Sequence, residues 1–375
     1  MVMVLTEEQL ATRASENRGA LCKAIDYVEF YVGNARQAAH FYRTAFGFKP
    51  TAYAGLETGV RDRVSFLLEQ RNIRLVLTSP LGPDSPIAEH IKLHGDSIKD
   101  IALTVDDVVD AFQTAVERGA TPVAEPQVIE TENGWTAKAT IAACGDTVHS
   151  LIQRNGKEGT SLPDFQPLMD APPAEPIGVA AIDHVALSVE PGQMDYWADI
   201  YNRVLGFHQS HEERVLTEYS AMNSKVVQNS TGLIKFTILE PGQGKRKSQI
   251  EEYLQSHQGP GAQHVALLTG DIARAVRALR ANGIEFLRAP RTYYEMLEDR
   301  IGKLDEAIEE LRENNILVDR DDWGYLMQVF TKPLQSRPTV FLEVIQRRGA
   351  RGFGSGNIKA LFQALEREQA LRGNL

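Results

Sequence analysis

The strongest constraint on this chain is that it repeats itself. Residues 25–48 read IDYVEFYVGNARQAAHFYRTAFGF and residues 182–207 read IDHVALSVEPGQMDYWADIYNRVLGF. Each is an alternating apolar strand followed by a segment of helical period that stops at Gly-Phe. A second pair is GDSIKDIALTVDDVVDAFQTAVERGA (95–120) and GPGAQHVALLTGDIARAVRALRANGI (259–284), each a strand, an Asp-led helix start, an amphipathic helix and a glycine stop. A short third pair sets HSLIQR (149–154) against LEVIQR (342–347). The chain is therefore predicted to be an α+β protein of four βαβββ modules, two in each half. The expected divisions are an extension over 1–24, a first domain over 25–155, a linker over 156–180 and a second domain over 181–375. The linker contains GKEGTSLPDFQPLMDAPPAEPIG, rich in Pro and Gly and without a period. The second half is longer, through residues 291–323 with the charged helical stretch LDEAIEELRENN and through a terminal helix, IKALFQALEREQALR.

At 375 residues the chain exceeds what one compact core accommodates and suits two domains. A net charge of −10 argues against nucleic acid and anionic membranes as partners, since both require clustered positive charge. The only compact basic cluster, Lys245-Arg246-Lys247, reads as a solvated loop. Two cysteines, Cys22 and Cys144, make neither a disulfide framework nor a thiolate zinc motif, so a reducing cytoplasm is expected. The opening MVMVLTEEQL lacks the charge and apolar core of a signal peptide, and no apolar run reaches the length of a membrane span.

The repeat also isolates a difference between the halves. Where the second half carries His184, His264 and Glu343, the first carries Tyr27, Asp100 and Ser150. A single His on a strand is more often a packed residue than a ligand. A Glu amid apolar residues, as in VFLEVIQ, needs a partner. Two imidazoles and a carboxylate at repeat-defined positions of one half match the facial ligand set of non-haem Fe(II) oxygenases. All-oxygen or thiolate sets, which would suit Mg²⁺, Ca²⁺ or structural zinc, are not offered. The first half is then a structural copy, and an apt contact surface for a homo-oligomer.

At these residues the chain resembles a known family. IDHVAL, KRKSQIEEYL, GPGAQHVALLT, ILVDRDDWGYLMQVFTKPLQSRPTVFLEVIQRRG and GFGSGNIKALFQALE are similar, over nearly the whole chain, to the 4-hydroxyphenylpyruvate dioxygenase and 4-hydroxymandelate synthase family. That family lies within the vicinal oxygen chelate superfamily, whose paired βαβββ modules curl into open barrels around a metal. The resemblance implies Fe(II) held by His184, His264 and Glu343, with Gln328 beside them as a catalytic group. It implies a substrate pocket of Ser224, Thr237, Leu239, Gln249, Gln263, Gln328, Phe330 and Phe341, closed by Phe353, Asn357, Ile358 and a C-terminal gate helix. It implies O₂ and a 2-oxo acid as substrates. The 2-oxo acid side chain of the substrate itself would chelate the iron, so no separate 2-oxoglutarate is needed.

Two outcomes exist within this family: ring hydroxylation with side-chain migration, giving homogentisate, or benzylic hydroxylation, giving 4-hydroxymandelate. The ring-hydroxylating members typically carry a PxNEP stretch, where this chain has Thr237-Ile238-Leu239-Glu240-Pro241. They typically carry Phe after the Asn of GxGN, where this chain has Ile358. AMNSKVVQ (221–228) and FGSGNIKAL resemble the synthase, while Glu218-Tyr219-Ser220, KRKSQI and FTKP resemble the dioxygenase. The sequence expectation is the synthase, with the dioxygenase as alternative. An extradiol ring-cleaving enzyme would share the ligand set but not the gate helix, and a ligand-sequestering module would need no such ligands.

Overall fold

The computed structural model describes residues 21–131, 134–156, 162–289 and 291–373. Most of the expected 1–24 extension, and residues 157–161 of the expected linker, lie outside them.

The first half begins with β1 (Cys22–Tyr31), α1 (Ala35–Phe46), β2 (Lys49–Ala54), β3 (Arg63–Gln70) and β4 (Ile73–Pro80). After α2 (Pro86–His94) come β5 (Ser97–Val105), α3 (Val108–Glu117), β6 (Pro122–Thr131), β7 (Gly134–Ala142) and β8 (Val148–Gly156). With the two-residue β9 (Gln166–Pro167) they form a sheet in the order β6-β7-β8-β5-β1-β4-β3-β2-β9. The second half repeats the plan: β10 (Val179–Ser188), α4 (Met194–Leu205), β11 (His208–Leu216), β12 (Ala221–Gln228), β13 (Lys235–Gly242) and α5 (Gln249–His257). Then follow β14 (Gly261–Thr269), α6 (Ile272–Ala281), three short helices α7 (Arg291–Glu295), α8 (Leu297–Ile301) and α9 (Ile308–Glu313), then β15 (Leu317–Asp321), β16 (Gly324–Phe330) and β17 (Phe341–Arg348). Their order is β11-β12-β13-β10-β14-β17-β16-β15, the same arrangement as in the first sheet. The four modules are thus βαβββ units in curled, mixed sheets. No described helix is long and apolar enough to cross a membrane.

Local chemistry explains the recurrence. Both α1 and α4 end at a glycine in the left-handed region, Gly47 (φ 71°) and Gly206 (φ 70°), which a side chain would strain. Helices α3 and α6 start where Asp107 and Asp271 accept the backbone N–H of Asp110 and Arg274. The register makes the repeat equivalence explicit. Tyr27 faces Ala102 and Glu29 faces Asp100, just as His184 faces Ala266 and Ala186 faces His264. Asp100 lies beside Val148 as His264 lies beside Phe341, which aligns Ser150 with Glu343.

The stretch expected to be helical, LDEAIEELRENN, is helical only over α9. Ala307 is extended (φ −71°, ψ 130°), and the Tyr325 hydroxyl engages Glu306 Oε2 at 2.8 Å and Asp305 Oδ2 at 3.3 Å. Those tertiary bonds hold the first residues of the stretch out of the helix.

The terminal helix α10 (Ser355–Leu371) lies over the open side of the second sheet. Leu361, Ala364 and Leu365 pack on Phe330 and Phe341, while Phe362 packs with Met222 and Leu239. Three polar clasps hold it. Glu366 accepts from Thr217 Oγ1 (2.6 Å) and from Ser220 Oγ, Gln369 donates to the Lys247 carbonyl (3.1 Å), and Arg372 pairs with Glu252.

Candidate metal centre and substrate cavity

His184 on β10, His264 on β14 and Glu343 on β17 come from three adjacent strands and point into one barrel. They are 2%, 7% and 1% exposed, too buried for a carboxylate without a counter-charge. Glu343 Oε2 stands 3.3 Å from His184 Nε2 and 3.7 Å from His264 Nε2. Donor atoms about 2.1 Å from one ion and at right angles to each other stand roughly 3 Å apart, so the trio fits the facial ligation of a divalent cation. The ligand-type atoms all lie within 4.8 Å of one another.

The surrounding bonds leave these atoms free. His184 Nδ1 is 2.9 Å from Asp183 Oδ1, so it donates there and leaves Nε2 facing Glu343. Asp183 is itself held by the Arg347 fork, with Nε to Oδ2 and Nη2 to Oδ1 both at 2.8 Å. This is the carboxylate–histidine support common behind metal ligands. Although burial alone raises it, Asp183 sits well below the usual carboxylate range because Arg347 and His184 hydrogen-bond it. Burial, reinforced by the neighbouring His184, holds His264 well below the ordinary histidine range, as a neutral imidazole. His264 Nδ1 lies 3.3 Å from Gln263 Oε1, and Gln263 Nε2 donates to Gln249 Oε1 (2.8 Å). Glu343 Oε1 accepts from Gln328 Nε2 (2.9 Å), Gln328 Oε1 accepts from Asn357 Nδ2 (2.9 Å), and Asn357 Oδ1 lies 2.6 Å from the Tyr293 hydroxyl.

Beside the triad is a largely apolar cavity. Of the residues expected from sequence, Ser224, Thr237, Leu239, Gln249, Gln263, Gln328, Phe330, Phe353 and Ile358 line it together with the triad. Two do not. Phe341 stacks on His264 from behind (ring centroids 4.8 Å, 24°), and Asn357 reaches the site only through Gln328. Sequence reasoning missed Met222, Leu361 and Phe362. The signal existed: Met222 shares the strand face of Ser224, and Leu361 and Phe362 follow Ile358 by three and four residues on one helix face. It also missed Asp183 and Arg347. Thr237 Oγ1 is buried without a hydrogen-bond partner. A buried hydroxyl in that condition is costly unless a ligand satisfies it.

The comparisons agree with this geometry. The model of the Glyoxalase/Bleomycin resistance protein/Dioxygenase superfamily matches residues 24–159 and 181–329, one stretch in each half. The chain is 44% identical over 371 residues to a 4-hydroxyphenylpyruvate dioxygenase of Yarrowia lipolytica, covering 94% of each chain. It is 45% identical over 362 residues to that of Danio rerio, covering 93% of this chain and 91% of the other. A triple mutant of 4-hydroxymandelate synthase from Streptomyces coelicolor superposes with a TM-score of 0.85 at 39% identity, covering 93% of this chain and 99% of that one. The fold and the site define a member of the vicinal oxygen chelate group of metal-dependent enzymes. Within it, the chain belongs to the 4-hydroxyphenylpyruvate dioxygenase family.

Proposed function

We propose that the chain binds Fe(II) through His184, His264 and Glu343 and converts 4-hydroxyphenylpyruvate and O₂ to 4-hydroxymandelate and CO₂. Bound there, Fe(II) supplies the O₂ chemistry and the open positions at which a 2-oxo acid chelates. The protein's residues do the rest. Asp183 keeps the proton of His184 on Nδ1, and Gln328 holds Glu343 by one oxygen so that Oε2 stays free. Thr237, Ser224 and the Gln249–Gln263 pair offer polar atoms for the phenol end of the substrate. Phe330, Phe353 and Phe362 exclude water, which confines the oxidant to the bound substrate.

One observation carries the choice of product. Leu239 and Ile358, the two departures from the ring-hydroxylating pattern, belong to one apolar cluster with Met222 and Phe362, and all four line the cavity. In that wall the amide and the aromatic ring of the ring-hydroxylating pattern are both replaced by aliphatic side chains, which leaves Phe362 as its aromatic face. The substrate ring is then free to turn its CH₂ toward the metal. The ring-hydroxylating alternative shares every ligand, and the names of the curated relatives support it. Turnover of 4-hydroxyphenylpyruvate with Fe(II), ascorbate and O₂, resolved by chromatography against standards of both isomeric products, separates the readings. 4-Hydroxymandelate is expected, and Ile358→Phe with Leu239→Asn should shift the product toward homogentisate. Homogentisate from the unaltered protein establishes the alternative.

A further inference from the structure

A second group of metal-ligand type lies at the seam between the halves, built from elements that the cavity does not use. His90 and His94 stand four residues apart on α2, on one helix face, and Asp146 follows β7 in the loop before β8. A donor atom from each lies within 4.8 Å of the others. His257, the last residue of α5, stacks on His94 (centroids 4.3 Å), and the His90 ring lies tilted against that of His94 (4.4 Å, 54°). The three imidazoles are 7%, 2% and 2% exposed for His90, His94 and His257.

Their hydrogen bonds fix the tautomers. His94 Nδ1 is 2.6 Å from the His257 carbonyl oxygen, which can only accept, so Nδ1 donates. That leaves a lone pair on Nε2, 2.9 Å from Asp146 Oδ2, a second acceptor. Two acceptors that close need a positive centre between or beside them, either a proton or a cation. His90 Nε2 is hydrogen-bonded to Ser97 Oγ at 2.9 Å, which anchors the ring. His257 Nδ1 donates to the Gly259 carbonyl (2.9 Å), and its Nε2 is buried with no partner. Each of the three rings thus has one nitrogen anchored on an oxygen outside the carboxylate, the way ligating histidines are held.

Two cations border the cluster, each donating to main-chain oxygens. Lys99 donates to the Asp146 main-chain oxygen and Arg337 to the carbonyls of Leu93, Lys92 and Ser256. A solvent-open cleft lined by His90, Asp146 and Arg337 gives access. The loop is pinned: Gly145 has φ 59°, and a Cβ there would come within 2.3 Å of the Pro260 carbonyl.

We propose that His90, His94 and Asp146 form a second cation site, suited to a zinc-type divalent transition metal, with the His257 ring packed against His94. The site lies at the junction of the halves, since its three residues belong to the first and His94 Nδ1 donates to the His257 carbonyl of the second.

The test is elemental analysis of the full-length protein after equilibration with Zn²⁺ and desalting. Two zinc ions per chain are expected for the unaltered protein. One is expected for His184→Ala/Glu343→Gln, and that one should vanish when His90→Gln and Asp146→Asn are added. Asp146→Asn alone, a same-shape change at an exposed carboxylate, should weaken the second ion at least tenfold. Zinc should also raise the melting temperature of His184→Ala/Glu343→Gln, and the rise should disappear with the added changes. A single ion in the unaltered protein, or a second ion indifferent to His90→Gln and Asp146→Asn, overturns the proposal and leaves a His94–Asp146 ion pair in its place.

Discussion

The buried Asp183–Arg347 pair lends itself to a quantitative test, because the repeat contains its own control. Asp183 is 4% exposed and receives two N–H bonds from Arg347 and one from His184. At the equivalent position of the first half, Asp26 is paired with Arg154 and with Arg74 (3.3 Å) although that half has no triad. The pair therefore belongs to the fold as well as to the metal. Arg347→Met removes both guanidinium bonds and strands a carboxylate in the interior, an effect of about 3–5 kcal/mol. The loss should be present without metal, read as a lowered urea midpoint of EDTA-treated protein by tryptophan fluorescence, to which Trp197 and Trp323 report from the second half. Asp183→Asn combined with Arg347→Met should cost less than the sum of the single changes, by roughly 1–3 kcal/mol, since neither charge is then stranded. Asp183→Asn alone should weaken metal binding roughly 10–100-fold in a chelator competition, because His184 loses the carboxylate that orients it. A loss below about 0.5 kcal/mol for Arg347→Met, the level of an ordinary surface substitution, would refute the reasoning.

Two further outcomes follow from buried groups outside the triad. Burial holds His149 below the ordinary histidine range, with Nδ1 at 2.8 Å from the Ile101 carbonyl and Nε2 at 2.8 Å from the Tyr201 hydroxyl. The unfolded chain protonates this group near pH 6.5 and the folded one does not. Stability should be complete above about pH 6.5 and fall below it by up to ~1.4 kcal/mol per pH unit, a slope that His149→Gln reduces in urea titrations; an identical slope contradicts the assignment. Glu366→Ala leaves the Ser220 hydroxyl without its acceptor and Thr217 with only the Ser220 carbonyl, and should loosen α10 by about 1–3 kcal/mol, seen as faster proteolytic cleavage within the helix and a raised KM. Unchanged proteolysis would show that the apolar face of α10 suffices.

Much of this was legible because duplication writes the fold twice. The Asp of IDY and IDH and the Arg of the two IQR stretches are plain in the sequence as shared residues, and so is the loss of ligands in the first half. That Asp26 meets Arg154 and Asp183 meets Arg347 was not, because the partners sit more than a hundred residues apart and only the sheet order joins them. The family resemblance puts Phe341 in the cavity wall, whereas in the structure its ring stacks on His264 and does not line the cavity. The insertion misled for a similar reason: LDEAIEELRENN has helical composition throughout, but Tyr325 captures its first carboxylates. The His90–His94–His257 cluster was invisible because its third member comes from the other half.

The same register explains why the first half lacks the ligand triad at the equivalent strand positions, and it makes a prediction. Lys138 faces Ile152 on β8 as Gln328 faces Ile345 on β17, so the two are repeat equivalents. Gln328 gives Glu343 a neutral N–H, whereas Lys138 approaches Asp100 Oδ2 at 3.6 Å and donates to Tyr27 Oη at 3.1 Å. Ser150 closes the Asp100 network. In the first half an ammonium supplies the positive charge that the second half reserves for an ion. Gln328→Lys should therefore turn the metal centre into the metal-free arrangement. At about 4 Å and an effective dielectric near 20, each unit of charge on the ion is opposed by roughly 4 kcal/mol, enough to weaken binding at least a thousandfold. Gln328→Met, which removes the donor without adding charge, should weaken it far less. Both variants should remain folded, the Lys variant because its ammonium pairs with Glu343. Equal metal affinities for the two variants would mean that charge at this position does not decide which half holds the ion.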